Sequence, residues 1–315
     1  MRFASAVAVL STAALLASGC SAFSESGGTS SGGSGPTVTA AFYPLAWLTE
    51  RVSEGTDTDV ELLTRPGSEP HDLELDVAKT AQIADADLVV YEAGFQPAVD
   101  DSVAQNATGD TLDVAALADL VPVDESAAEH EEHADEDEHD HDHGDLDPHF
   151  WQDPLRVAAV SDAVAGELAS IDEKNADTYT ANAAALRKQL EALDASYTTG
   201  LADCTRDTIV VSHDAFGYLE KYGLHIAPIV GLSPDAEPTA AVLAQLQDLV
   251  KEEGITTVFS EPLEPALGDG LATDLGLTNG VLDPIEGLSD ADSDADYLSL
   301  MKDNLVALQA ANGCR

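Results

Sequence analysis

Residues 173–201, EKNADTYTANAAALRKQLEALDASYTTGL, contain the longest helical pattern in the chain. Apolar side chains recur there every three or four residues, which is the spacing of one buried helix face. At 1.5 Å per residue, about 28 residues form a rod of roughly 40 Å, long enough to run along two lobes. A second helical pattern, DPLRVAAVSDAVAGELASI, comes directly before it, so we predict a helical connector over residues 154–203. The apolar positions of the longer pattern are Tyr179, Ala183, Leu186, Leu190 and Leu193.

Short β-rich runs alternate with helical patterns on both sides of this connector. Such alternation is typical of βαβ units and parallel sheets. We therefore predict an α/β fold of two lobes, residues 37–153 and 204–315, each with a mainly parallel sheet flanked by helices. Ligands of open parallel sheets bind at the carboxyl ends of the strands, so two facing ends make a cleft between lobes. The predicted strands are 37–42, 58–63, 87–92, 111–115, 207–213, 224–230, 255–261 and 279–284.

The N-terminus has the layout of a secretory signal sequence. Arg2 precedes a short apolar run, and residues 1–20 end in LASGC, which resembles a bacterial lipobox. Ala17 stands where a lipobox usually has Leu. We expect lipidation of Cys20, which would anchor the protein outside the cytoplasm, with ordinary cleavage as the alternative. Residues 21–36 are rich in Gly and Ser and should form a flexible tether.

Two further cysteines, Cys204 and Cys314, would lie in an oxidising compartment. That location favours one disulfide between them, and a pair of free thiols is the alternative.

The formal net charge of −46 comes from acidic residues spread along the whole chain. Residues 124–147 contribute 13 acidic side chains and no Lys or Arg, but most acids lie elsewhere. This charge argues against nucleic acid and anionic membrane surfaces as partners.

Four separated segments place a possible metal ligand after a strand or in a loop. They are GSEPHDLEL, DPHFWQDP, VSHDAFGY and VLDPIEGL, the first two in one lobe and the last two in the other. Three imidazoles and a carboxylate suit tetrahedral Zn²⁺ and do not suit Mg²⁺ or Ca²⁺. The candidate ligands are His71, His149, His213 and Asp283.

Together these segments resemble the zinc-binding solute receptors of bacterial ABC importers, a family that includes manganese receptors and some adhesins. The motifs PHDLEL, DPHFWQDP, NADTYTANAAAL, VSHDAFGYLEKYGL, FSEP and VLDP occur in the order and spacing of the family. The resemblance implies two lobes joined by one rigid helix, with the metal between them and a membrane permease as partner. It also implies His71, His149, His213 and Asp283 as ligands. Manganese-binding relatives commonly have Glu in place of His213, so the imidazole favours zinc.

The fourth ligand has alternatives within that family. Some zinc members use a glutamate beside the first histidine, or a water, in place of the aspartate, and Glu69 keeps this open. Glu261 of FSEP matches a recurring position of that family, and we predict that it supports a ligand imidazole from behind or has a structural role. His225 is expected to be structural.

Residues 124–147 form an acidic, His-rich loop of a kind that many zinc members insert before the second ligand. Ordering such a loop costs roughly 1–2 kcal/mol per residue, so we expect weaker, multiple zinc sites there. Capture, sensing and plain solvation remain open as its role. The loop histidines are His130, His133, His139, His141 and His143.

We therefore predict a monomeric protein that captures zinc outside the membrane and delivers it to an ABC permease, without catalysis. A manganese receptor or a zinc-buffering adhesin of the same fold is the alternative. A zinc hydrolase is disfavoured because the fourth ligand closes the site and the chain has no HExxH motif.

Overall fold

The structure, a computed structural model, describes residues 35–123, 146–290 and 294–315. The predicted signal sequence with Cys20, and almost all of the tether, lie outside these ranges. So do the five histidines of the acidic loop, His130, His133, His139, His141 and His143.

The N-terminal half contains a parallel sheet of four strands in the order β2-β1-β3-β4. The central strands are buried, because helices cover both faces of a parallel sheet. Its strands are β1 (Thr37–Ala40), β2 (Asp59–Leu62), β3 (Leu88–Tyr91) and β4 (Asp110–Asp113), with helices α1 (Tyr43–Ser53), α2 (Val77–Asp85), α3 (Pro97–Asn106) and α4 (Ala115–Ala118).

A short antiparallel pair, β5 (Val121–Pro122) and β6 (Leu146–Asp147), follows the sheet. The sequence patterns did not predict this pair. It places residues 122 and 146 side by side, so the two points that flank the segment between them are close together.

Two helices, α5 (Pro154–Ile171) and α6 (Ala176–Gly200), form the predicted connector and pack against each other. The five predicted apolar positions of α6 are buried, and Tyr197 extends the same face. Asp153 caps α5 by accepting a hydrogen bond from the amide of Leu155. The long helix predicted from residues 173–201 is confirmed.

The C-terminal half repeats the topology of the first. Its parallel strands are ordered β10-β9-β7-β8, so in both halves the first strand lies between the second and third, and the fourth lies outside the third. The elements are β7 (Thr208–Val211), β8 (His225–Pro228), α7 (Ala240–Glu253), β9 (Thr257–Ser260), α8 (Ala266–Leu275), β10 (Thr278–Val281) and α9 (Tyr297–Asn312).

One hydrophobic core runs through both halves. It includes side chains from β1 and β3, from α5 and α6, and from β7 and α9, while a smaller cluster lies under α7 and α8. Because the halves share this core, the described residues of both halves form one compact unit. The two-lobe α/β fold is confirmed, whereas the boundaries 37–153, 154–203 and 204–315 stay a prediction.

The structure contains the predicted disulfide between Cys204 and Cys314. It joins the segment after α6 to Cys314, two residues after α9, across a sequence separation of 110 residues. Among the described residues, we find no helix that combines the length and the apolar character needed to cross a membrane.

Candidate metal centre

The three histidines named from the sequence come together from loops at the carboxyl ends of strands. His71 follows β2, His149 follows β6, and His213 lies two residues after β7. Their ring centroids are 5.4–5.9 Å apart. His149 and His213 are fully buried, whereas the side chain of His71 is 13% exposed. His225 lies exposed at the start of β8 and is not part of this group.

A single carboxylate oxygen completes the group. Oε1 of Glu286 lies 3.5 Å from Nε2 of His71, 3.2 Å from Nε2 of His149 and 3.0 Å from Nε2 of His213. A tetrahedron with metal–ligand bonds of 2.0–2.1 Å has edges of about 3.3 Å, and these separations bracket that value. Among the described residues, Nε2 of His71 and of His149 are buried without a hydrogen-bond partner, as expected of donor atoms that face one ligand position.

At the fourth position the structure places Glu286, and not the predicted Asp283, with the three imidazoles. Oδ1 of Asp283 accepts a hydrogen bond from the amide of Ile285, two residues later, at 2.8 Å. The carboxylate therefore stabilises its own turn and leaves the longer side chain of Glu286 to reach the site.

The same turn occurs at other Asp-Pro pairs of the chain. Asp147 accepts from the amide of His149, and Asp153 accepts from the amide of Leu155, each at 2.9 Å. The repeated use of Asp before Pro could have indicated a turn role for Asp283, and the second acid of VLDPIEGL could have indicated Glu286.

Carboxylates also hold two of the imidazoles from behind. Nδ1 of His149 lies 2.7 Å from Oδ1 of Asp147, and Nδ1 of His213 lies 2.8 Å from both oxygens of Glu261. With the Nδ1 proton donated to a carboxylate, Nε2 is left as the ligand atom. Glu261 thus lies behind His213, and Asp147 has the equivalent position behind His149, a role that was not predicted for it from the sequence.

Asp147 also connects the halves. A Cβ on Gly217 would lie only 2.7 Å from Oδ2 of Asp147, so glycine permits this close approach. The hydroxyl of Tyr218 donates to the backbone oxygen of Asp147 at 2.7 Å. The carboxylate behind His149 is therefore fixed by the C-terminal half.

His71 has a different environment, on the more exposed side of the group. Oε1 of Glu69 accepts a hydrogen bond from the amide of His71 at 3.0 Å and lies 4.0 Å from its Nε2. The ring of Phe95 contacts the imidazole edge-on at a centroid distance of 4.7 Å. Glu69 is thus close to the group but is not one of its four members.

The pKa values of the three histidines reflect two opposing effects. Burial disfavours the charged imidazole, and nearby carboxylates favour it. Burial works to lower the pKa of His149, but Asp147 and Glu286 outweigh it and raise that pKa to about 9. Burial likewise opposes a charged His213, yet Glu286 and Glu261 hold its pKa well above the usual value. For His71 burial is the larger effect, and its pKa is lowered.

The two carboxylates near the imidazoles have pKa values shifted in opposite directions. Burial works to raise the pKa of Glu286, but the imidazoles, His213 foremost, hold it well below the usual range. Burial and the nearby charge of Glu286 raise the pKa of Glu69 to about 8. The group can therefore bind a cation through one ionised carboxylate and three imidazoles, in competition with protons.

A buried group of three imidazoles and a carboxylate, built from loops of both halves, defines a two-lobed metal-binding protein. The chain matches the family described as zinc-uptake complex component A, periplasmic (ZnuA), over residues 38–311, and it belongs to that family.

Relatives of the chain carry zinc-related names. It is 34% identical to the high-affinity zinc uptake system protein ZnuA of Bacillus subtilis, over 96% of this chain and 95% of that protein. It is 35% identical to the zinc-binding lipoprotein AdcA of Streptococcus pneumoniae, over 86% of this chain. The match spans only 55% of the length of that AdcA.

Solved structures agree with this assignment. The Zn(II)-bound ZnuA-like domain of S. pneumoniae AdcA has a TM-score of 0.71 and 31% identity, over 88% of this chain and 99% of that one. The laminin-binding protein Lmb of Streptococcus agalactiae, described as a bifunctional protein with adhesin and metal-transporting activity, has a TM-score of 0.76 and 28% identity over the same shares.

Proposed function

We propose that this protein captures Zn²⁺ outside the cytoplasm and delivers it to the membrane permease of an ABC importer. The observation that carries the proposal is the convergence of three Nε2 atoms on Oε1 of Glu286 at 3.0–3.5 Å. The ligands of the proposed site are His71, His149, His213 and Glu286. Membership of the zinc-uptake family supports the same reading.

The donor set favours zinc over the alternative cargoes. Imidazole nitrogen is a poor ligand for Mg²⁺ and Ca²⁺, which prefer oxygen, whereas it suits a borderline-soft ion such as Zn²⁺. A manganese receptor would favour more oxygen donors than one carboxylate. Competition between Zn²⁺ and Mn²⁺ for the site tests manganese as the alternative cargo.

The geometry supports binding without catalysis. A catalytic zinc keeps an open coordination position for water or substrate, whereas four protein donors close a tetrahedral site. The burial of three of the four donors also limits the approach of a substrate. Delivery of the ion, with no covalent chemistry, is the activity that such a site serves.

The sequence supports a location and a partner for this activity. Lipidation of Cys20 would hold a monomeric receptor at the outer face of the membrane, within reach of the permease, through the tether of residues 21–36. The shared core of the two halves favours small movements over wide hinge opening, so the permease would release the ion by deforming the site.

Metal titration of the chain from residue 21 onward tests the proposal. We expect one tight Zn²⁺ site that excess Mn²⁺ does not occupy, and we expect His213→Ala to abolish it. His225→Ala is the matched control, because His225 is exposed and lies outside the group. A protein that prefers Mn²⁺, or a tight site that survives His213→Ala, would refute the assignment.

A further inference from the structure

Helix α9 is bonded directly to the turn that carries Glu286. The side chain of Asn304 accepts a hydrogen bond from the amide of Asp283 at 2.9 Å and donates one to its carbonyl oxygen at 2.7 Å. Asn304 is 3% exposed, so both bonds are shielded from water. A buried amide that binds both backbone groups of one residue fixes its position and its orientation.

The turn held in this way has an unusual backbone. Ile285 adopts a φ of 61°, in the left-handed region that β-branched residues strongly disfavour. Its amide donates to Oδ1 of Asp283, and its side chain is fully buried. Such a conformation persists only where surrounding contacts impose it, and the next residue is Glu286.

The same face of α9 also reaches the segment that carries His149. The hydroxyl of Tyr297 donates to the backbone oxygen of Trp151 at 2.5 Å. Tyr297 and Asn304 are seven residues apart, which is two helical turns, so they lie on one face. Helix α9 therefore contacts the peptide segments of two of the four donors.

Those two segments are bonded to each other as well. The backbone oxygen of Pro284 accepts hydrogen bonds from Nε1 of Trp151 at 2.7 Å and from Nε2 of Gln152 at 2.6 Å. A displacement of α9 would thus be transmitted to both the Glu286 turn and the His149 segment.

We propose that Asn304 is a positioning residue of the metal site, which sets zinc affinity by holding the Asp283–Ile285 turn so that Glu286 faces the three imidazoles. Tyr297 has the same role, with a smaller effect, for the segment of His149. The proposal rests on the proposed function, since it concerns the affinity of that site. Neither residue is one of the four donors, so each acts through the donor that it helps to place.

The test compares variants of the two residues with variants at matched positions. Asn304→Leu removes both hydrogen bonds at similar volume, Asn304→Asp removes only the donor, and Tyr297→Phe removes one hydroxyl. We expect Asn304→Leu to weaken zinc binding about 10-fold, the effect typical of residues that orient ligands. We also expect faster zinc release and an altered visible spectrum of the Co²⁺-loaded protein, which reports coordination geometry.

The controls are buried residues of the same types that do not face the ligand turns. Asn312→Leu changes another buried asparagine of α9, and Tyr179→Phe removes a hydroxyl of α6 that donates to Oδ2 of Asp172. We expect both to change thermal stability while leaving zinc affinity and the Co²⁺ spectrum at wild-type values. If Asn304→Leu does not fold, Asn304→Asp and Tyr297→Phe carry the comparison.

Two results would overturn the inference alone: a folded Asn304 variant with wild-type affinity and spectrum, or controls that change both as much. A wild-type protein that binds no zinc would overturn the proposed function and this inference together.

Discussion

Oε1 of Glu286 lies 3.0 Å from Nε2 of His213, although 73 residues separate them in the chain. His213 follows β7 and Glu286 follows β10, which are not neighbouring strands, because β9 lies between them. The longer reach of a glutamate, placed beyond a tight turn, closes this gap. The contact brings the carboxylate of the C-terminal half to the imidazoles of both halves.

Replacing each of the two acids of the VLDPIEGL segment by its amide, one at a time, separates their roles. Glu286→Gln removes the carboxylate donor, and we expect zinc affinity to fall by more than about 100-fold, beyond the range typical of residues behind the ligands. Asp283→Asn keeps an oxygen that can accept from the amide of Ile285, so we expect a change of less than about threefold. Competition with a chelator of known affinity measures both.

Each substitution in this pair is the control for the other, since both replace an acid by its amide. A loss of affinity in Asp283→Asn with little change in Glu286→Gln would restore Asp283 as the fourth donor.

The carboxylate behind His213 gives a second prediction. Glu261 accepts hydrogen bonds from the amide and from Nδ1 of His213 and fixes the ring with Nε2 toward the site. We expect Glu261→Gln to weaken zinc binding by about 10–100-fold, because the imidazole loses both its orientation and its basicity. Isothermal titration of the metal-free protein measures this, with the exposed Glu264→Gln as control. Equal affinities in the two variants would contradict the role.

Periodicity in the sequence predicted most of the fold. All eight predicted strands are present, and the α6 residues predicted from their spacing are buried. These features follow from local patterns, since alternation and helical spacing are written in consecutive residues. The three histidines could likewise be assigned to one cleft, because the carboxyl ends of the strands in the two lobes were expected to face each other.

The remaining part of the site depends on features that no local pattern contains. Whether Asp283 or Glu286 faces the imidazoles is decided by a turn with a left-handed Ile285, by Asn304 on a different helix, and by a carbonyl that binds Trp151. The role of Asp147 could not be predicted from local sequence either, because its position depends on a glycine in the other half.

Removal of the acidic loop tests its predicted secondary role. Val121 pairs with Asp147 and Pro122 with Leu146, so deleting residues 126–145 leaves a three-residue connection between paired strands. We expect the shortened protein to fold and to keep the tightest zinc site, while it loses weaker zinc binding. Zinc titration with stoichiometry determined by elemental analysis measures both.

A full-length protein with His130 and the other loop histidines replaced by Ala separates loss of ligands from loss of length. Loss of the tightest site in either variant would mean that the loop, and not Glu286 with its three imidazoles, forms the primary site.

Glu92 gives a prediction about pH and stability that is independent of metal binding. The residue follows β3, its side chain is buried, and neither carboxyl oxygen has a hydrogen-bond partner among the described residues. Burial, followed by the charges of Asp147 and Asp113, raises its pKa well above the usual value. The folded protein therefore holds a proton on Glu92 at pH values where the unfolded chain, with a pKa of about 4.3, has released it.

The sign of the effect follows from this proton. Above about pH 4.3 the folded state binds more protons than the unfolded state, so the free energy of unfolding falls as pH rises, by up to about 1.4 kcal/mol per pH unit. Glu92→Gln keeps the shape and removes the titration. Denaturant unfolding of the metal-free protein between pH 4 and pH 8 should show the variant gaining stability over wild type as pH increases. The exposed Glu191→Gln should run parallel to wild type. A constant offset between Glu92→Gln and wild type across this range would show that Glu92 is ionised in the folded protein.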